Sequence, residues 1–170
     1  MTTYFNCFDR EVKLIIAEID GVLTDGKYAE DELGNTLYKV FNHKDWSAIN
    51  ELKKYYKVVF LCDDNKINYN MCQRKNLPFY WGKGSKGKYE MLPDILRRYS
   101  AIPDSTIYIG SKLSDKKCMQ LIPYSMCPDD VGDYLRNIAW APFITKGGDG
   151  IFNELLDLLQ FNIKMIENDR

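Results

Sequence analysis

The sequence predicts an α/β protein: a doubly wound parallel sheet carrying one inserted β-hairpin. Short apolar, β-rich runs recur along the chain, and segments of helical period separate them. One stretch, centred on Leu33-Gly34-Asn35, breaks that alternation. The 170 residues read as a single domain, 1–170, with no internal repeat and no low-complexity tract.

The first strand falls within Val12 to Ile19, followed by the hairpin from about Gly26 to Phe41. Asp45 or Ser47 then caps a helix reaching Tyr55, and Val58 to Cys62 forms the second parallel strand. Asn65 to Asn76 reads as a helix and Phe79 to Trp81 as a short strand. Ser85 caps the next helix, which places Tyr89, Leu92, Leu96 and Tyr99 on one face. Further strands are read at Thr106 to Ile109, Ser125 to Cys127 and Ile138 to Trp140. A last helix follows Gly150 with Ile151, Leu155, Leu158 and Leu159 toward the core, and a polar tail runs from about 165 to 170.

Composition excludes several classes of function. With 24 acidic and 23 basic residues the formal charge is −1, and no Lys/Arg block supplies a footprint for nucleic acid or an anionic membrane. No apolar run approaches a membrane span, and the polar first ten residues lack the apolar centre of a signal peptide. The expectation is a cytoplasmic protein with no nucleic-acid and no membrane partner. Cys7, Cys62, Cys72, Cys118 and Cys127 are scattered, with no CxxC pair, which points to reduced, buried thiols rather than disulfides or zinc.

In doubly wound sheets ligands sit at the carboxyl ends of the strands, so chemistry is sought after Ile19, Leu61 and Ile109. The first strand ends in Glu18-Ile19-Asp20-Gly21-Val22-Leu23-Thr24-Asp25-Gly26. Alternation puts Glu18 and Asp20 on one side, and Gly21 lets the backbone turn away, so two carboxylates point at one place. Phe41-Asn42-His43-Lys44-Asp45, Gly82-Lys83-Gly84-Ser85-Lys86, Tyr108-Ile109-Gly110 with Asp115, and Gly147-Gly148-Asp149-Gly150 with Glu154 follow in order.

On these motifs the chain resembles the haloacid dehalogenase (HAD) superfamily, and within it the capless Kdo 8-phosphate phosphatases. Their patterns are close to DxDGVLTDG, FNxxD, GxxxK, YxGDDxxD and GGxG. The likeness covers nearly the whole chain and implies a HAD-like Rossmannoid fold without a cap domain, of phosphomonoester hydrolase ancestry. It implies an aspartate nucleophile at position 18, Asp20 as general acid and base, and Lys86 as the phosphate-holding lysine. It also implies substrate contacts from Cys62, Asp63, Gly82, Lys86, Gly147 and Gly148, and Mg²⁺ held by residues 18, 20 and 115.

The chain departs from that pattern at most of these positions. Glu18 stands where the nucleophilic Asp belongs, and its extra methylene displaces the carboxylate in a geometry where about an ångström costs roughly a hundredfold. Cys62-Asp63-Asp64 replaces Thr-Gly-Arg, which removes a hydroxyl and a guanidinium and adds negative charge beside the phosphate site. Ser111 and Lys112 replace the two acids after Gly110, so the hard ligand for Mg²⁺ is gone and an ammonium stands nearby. These departures argue against the metal, and Lys112 is expected to pair with Glu18 or Asp20 in its stead.

Several residues carry a plainer reading. Lys86 belongs to a lysine run, Asp115 suits a helix N-terminus, His43 suits the surface, and neighbouring acids suppress a Cys62 thiolate. Trp46 either fills the substrate pocket or serves an interface.

The expectation is an impaired phosphatase-like protein kept for assembly or ligand binding in sugar-acid or sugar-nucleotide metabolism. The alternative is an active Mg²⁺-dependent phosphatase on a phosphorylated sugar acid. The chain is also similar to the C-terminal domain of animal CMP-sialic acid synthetases, whose motifs are eroded and which serves oligomerisation. The resemblance implies a homotetramer meeting through the hairpins, a phosphosugar or sugar-acid ligand, and a sugar cytidylyltransferase as partner.

Overall fold

The computed structural model describes residues 8, 11–63, 66–82 and 84–168, without the side chains of residues 84–86. Strand β1 (Leu14–Ala17) is followed by the hairpin strands β2 (Ala29–Glu30) and β3 (Thr36–Tyr38). Next come α1 (His43–Leu52), β4 (Lys57–Cys62), α2 (Lys66–Arg74), β5 (Phe79–Trp81) and α3 (Gly84–Arg98). The chain continues through β6 (Thr106–Ile109), α4 (Lys116–Leu121), β7 (Tyr124–Cys127), α5 (Asp133–Arg136), β8 (Ala141–Pro142) and α6 (Ile151–Asn168).

Six strands form one sheet in the order β5-β4-β1-β6-β7-β8, and every pair in it is parallel. The central strand β1 is buried on both sides, as its unbroken apolar run requires. Its pleat divides it between two cores. Ile15 and Ala17 join Val58, Phe60, Ile107 and Ile109 beneath Ile49, Leu52, Phe152 and Leu155 of α1 and α6. Leu14 and Ile16 join Val59, Leu61 and Tyr108 beneath Leu92, Ile95 and Leu96 of α3 and Met119 of α4. Helices therefore cover both faces, and the edge at which doubly wound sheets place their ligands is here the carboxyl end of β4, β1 and β6.

The hairpin is an antiparallel ribbon in its own two-stranded sheet. Its tip is built by Asp31, whose Oδ1 accepts from the backbone N–H of Leu33 and of Asn35 at 2.9 and 2.8 Å. Helix α1 starts three residues earlier than a cap at Asp45 suggests, because Asn42 is the N-cap and accepts from the Lys44 N–H.

Two other boundaries differ from the sequence reading. The run Ile138 to Trp140 is not a strand. It packs in turns, with Trp140 tilted against Phe8 and edge-on to Tyr124, while the edge strand β8 begins at Ala141. The polar tail from 165 is helical through Asn168, as the last turn of α6. Among the described residues no helix is long and apolar enough to cross a membrane. Cys62, Cys72, Cys118 and Cys127 are free and buried, whereas Cys7 lies outside the described residues.

Leu155 is fully buried between α6 and the sheet. Leu155→Ala is expected to cost about 2–5 kcal/mol, read as a lower urea midpoint with an unchanged slope.

Candidate active site

The chain leaves β1 through a tight turn in which the N–H groups of Val22, Leu23 and Thr24 all reach the Ile19 carbonyl. Gly21 has φ +84°, and a Cβ there would lie 2.6 Å from Ser111 Oγ, so both conformation and space demand glycine. The same turn is backed by Gly147, where a Cβ would lie 2.3 Å from the Gly21 carbonyl oxygen. The glycine loop that sequence reading assigned to substrate thus packs directly on the strand-end turn. Gly148 bonds into it as well, donating to the Val22 carbonyl at 2.9 Å.

Glu18 and Asp20 come to the same strand end but meet different partners. The Glu18 side chain is wholly buried; Oε1 accepts from the Ile19 N–H at 2.8 Å and Oε2 is ion-paired with Lys88. The Lys88 side chain is also wholly buried and donates to Asp115 Oδ1 at 2.9 Å. Asp115 is buried in turn and organises the turn before α4. It accepts from Tyr108 OH at 2.7 Å and from the N–H groups of Ser111 and Lys112, each at 3.0 Å. Asp20 is bound from elsewhere: Lys39, on the return of the hairpin, donates to both its oxygens at 2.9 and 2.8 Å, and Asn68 of α2 donates at 3.0 Å. Ser111 donates to the Asp20 carbonyl at 2.7 Å.

Asp63 closes the ring. It accepts from Lys112 Nζ and Ser114 Oγ at 2.9 Å each, and its carbonyl accepts from the Trp81 indole at 3.2 Å. Lys112 Nζ lies 3.8 Å from both Glu18 and Asp20, so its nearest partner is Asp63 rather than either residue anticipated from the sequence.

The electrostatics follow from burial and these pairs. Burial pushes the Glu18 carboxyl up to about 7 against the pull of Lys88. Burial opposes the charge of Lys88 too, but Asp115 and Glu18 outweigh it and raise its pKa. Burial would also raise Asp63, yet Lys88, Lys112 and Ser114 hold it at about 2. Asp45 lies away from this ring. It is buried and accepts from the Phe152 N–H at 2.8 Å at the start of α6, and burial pushes it up to about 6.

Sequence reading brought Glu18, Asp20, Asp63, Asp115, Ser111 and Lys112 to this place, and the structure does gather them. Gly82 is buried against Lys88, whose Cγ would lie 2.7 Å from an added Cβ. Lys86 lies in α3, but its side chain is outside the described residues, as is all of Asp64. Cys62 is wholly buried, with burial and then Glu18 holding its thiol well above the ordinary range, so it presents no thiolate. Trp46 is half-buried against Phe41, with Lys75 Nζ 5.0 Å from its ring centroid, and His43 is exposed. Lys88, Lys39 and Asn68 were missed. For Lys88 a signal existed, since it shares the inward face of α3 with Leu92, Ile95 and Leu96.

The parallel sheet, the carboxylates at its strand ends and the hairpin after β1 define a HAD-like protein with no further domain inserted among the described residues. Within that class the chain is similar to Kdo 8-phosphate phosphatases. It is 28% identical over 152 residues to the 3-deoxy-D-manno-octulosonate 8-phosphate phosphatase KdsC of Escherichia coli (strain K12), covering 87% of this chain and 79% of that one. The cobalt-bound deoxy-D-mannose-octulosonate 8-phosphate phosphatase of Haemophilus influenzae superposes with a TM-score of 0.79 at 26% identity, covering 88% of each chain. The fold is shared with the Moraxella catarrhalis enzyme solved with magnesium, phosphate and KDO (TM-score 0.80, 18% identity, 93% and 92% covered). No protein-family model matches the chain.

The residues present here do not fit such a cation. Glu18 and Asp20 already bind the ammonium groups of Lys88 and Lys39, and the Asp20 carbonyl takes the Ser111 hydroxyl. Among the described residues no group of three or more His, Cys, Asp or Glu side chains is placed to hold a metal ion.

Removing Lys88 strands two buried carboxylates, so Lys88→Met is expected to cost about 3–5 kcal/mol by urea denaturation. The folded-state values of Glu18 and Asp45 are raised above their ordinary 4.5 and 3.8. Their contribution to stability is therefore complete below those values and is lost as pH rises through about 7 and about 6. Asp63 acts oppositely, but only as pH falls below 3.8 toward about 2. Thermal melts should accordingly show a midpoint falling by several degrees from pH 5 to pH 8, with a shallower slope in Glu18→Gln and in Asp45→Asn.

Proposed function

We propose that this chain is a Kdo 8-phosphate phosphatase-like protein with impaired hydrolysis, kept in the cytoplasm for oligomeric assembly or for holding a sugar-acid ligand. The observation that carries this reading is the state of Glu18. A carboxylate nucleophile needs an oxygen lone pair free and aimed along the line of the leaving bond. Both oxygens of Glu18 are committed, one to its neighbour's backbone N–H and one to Lys88, and burial raises the fraction of the carboxyl that is protonated. Asp20, which would supply and remove the proton, is bound by Lys39 and Asn68. Asp63 adds a negative charge where a phosphate dianion would have to approach.

Assembly has its own support. The hairpin exposes Leu33 (81%), Val40 (70%), Tyr38 and Leu37, an apolar surface that a chain acting alone has little reason to keep. A homotetramer meeting at these ribbons covers it, and a sugar cytidylyltransferase is the heterologous partner that the reading names.

Two measurements test the proposal. Released inorganic phosphate from Kdo 8-phosphate with Mg²⁺ is expected to stay at least ~10³-fold below that of the Escherichia coli relative under the same conditions. Metal-dependent turnover near the relative's rate, abolished by Asp20→Asn, would establish the active phosphatase instead. Light scattering after size exclusion is expected to give a tetramer, and Leu37→Glu with Val40→Glu to give a smaller species. A monomeric wild type removes the assembly role.

A further inference from the structure

Three strand ends meet around one atom. Glu18 and Asp20 follow β1, Asp63 follows β4, and Lys112 follows β6, so the residues come from the three adjacent strands at the centre of the sheet. Lys112 Nζ stands 2.9 Å from Asp63, 3.8 Å from Glu18 and 3.8 Å from Asp20. No other described lysine faces all three of these carboxylates. Lys88 is buried between Glu18 and Asp115 and lies 4.0 Å from Asp63, and Lys39 is held by Asp20 and Asn68 at the hairpin. Lys112 alone of the three keeps a substantial exposure, 35% of its side chain, so the place it fills is open to solvent. Its backbone is fixed by the bond from its N–H to Asp115, which makes its reach over the cleft a property of the folded turn.

We infer that Lys112 is a resident cation at the meeting point of Glu18, Asp20 and Asp63, which neutralises the cleft from within and keeps divalent ions out. The inference rests on the impaired-phosphatase reading and deepens it, since it names what holds the carboxylates together. Three carboxylates around one point repel one another unless a positive charge lies between them. An ammonium does this with hydrogen bonds near 2.9 Å and longer contacts, whereas a magnesium ion demands oxygen at about 2.1 Å in an octahedral shell. Lys112 and a dication also repel each other, so one site cannot hold both.

The test uses the purified full chain and reads binding and stability, with no dependence on turnover. For the wild type, the melting midpoint is expected to be the same with EDTA and with millimolar Mg²⁺ or Mn²⁺, and Mn²⁺ titration followed by electron paramagnetic resonance is expected to show no bound fraction. In Lys112→Ala the freed carboxylates are expected to bind Mn²⁺ at least ~tenfold more tightly than the wild type, with a metal-dependent rise in midpoint. Lys112→Met removes the charge but keeps the aliphatic bulk, and so supplies the same comparison if the alanine variant folds poorly. Lys117→Ala, on the exposed side of α4, is the control and is expected to behave as the wild type. A wild type stabilised by Mg²⁺ or destabilised by EDTA overturns the inference, as do folded Lys112 variants with no gain in Mn²⁺ binding. Phosphate release by a wild type that binds no metal would overturn the impaired-phosphatase reading and leave this inference standing.

Discussion

The carboxyl end of this sheet is organised by one buried ammonium. Lys88 comes from α3, pairs with Glu18 at the end of β1, and pairs with Asp115 in the turn before α4. Taking such charges out of water is costly and is recovered only when pairing and hydrogen bonding are close to complete. Completeness is met here through Asp115, which besides Lys88 accepts from Tyr108, Ser111 and Lys112. The arrangement is therefore mutual. Asp115 fixes the turn that aims Lys112, Ser111 of the same turn holds the Asp20 carbonyl, and Gly21 leaves the space that Ser111 occupies. A change at any of these positions is felt at the others.

The general architecture was legible because its causes are local. Continuous apolar runs at β1, β4 and β6 can only be strands buried on both faces, and the helical period between them places helices over each face. What was misread depended on contacts distant in sequence. Ile138 to Trp140 is apolar enough for a strand, but Trp140 is drawn into an aromatic cluster with Phe8 and Tyr124. The strand that does form there has two residues, one of them proline, as suits the sheet's outer edge. Asn42 outcompeted Asp45 as a helix cap because Asp45 is needed inside, on the first turn of α6, 107 residues away.

The site was legible in its carboxylates and in Lys112, but not in Lys88 or Lys39. The strand-end rule finds Glu18, Asp20 and Asp63, since each follows a strand directly. A motif spacing counted from Gly82 points to Lys86, whereas the phase of α3 points to Lys88. Counting back from Leu96, Ile95 and Leu92 by helical steps puts Lys88 on the buried face, and a lysine on such a face has to find an anion. Lys39 had no such signal. It lies after a ribbon strand, and only the folding of the hairpin back over the strand end brings it to Asp20.

The glutamate at position 18 is best understood through this network. Its added methylene lets one oxygen turn back onto the Ile19 N–H while the other reaches Lys88. An aspartate has a shorter arm and would not make both contacts without moving the backbone at the end of a strand that is buried along its whole length. Restoring the short acid alone would consequently leave Lys88 short of an anion without vacating the point held by Lys112. The residues at this strand end are thus coupled through charge balance: the long acid satisfies the buried lysine, and the second lysine settles the carboxylates that remain. This coupling explains how several departures from the phosphatase pattern coexist with a closely packed strand end, because each alone would leave a buried charge unanswered and together they answer one another.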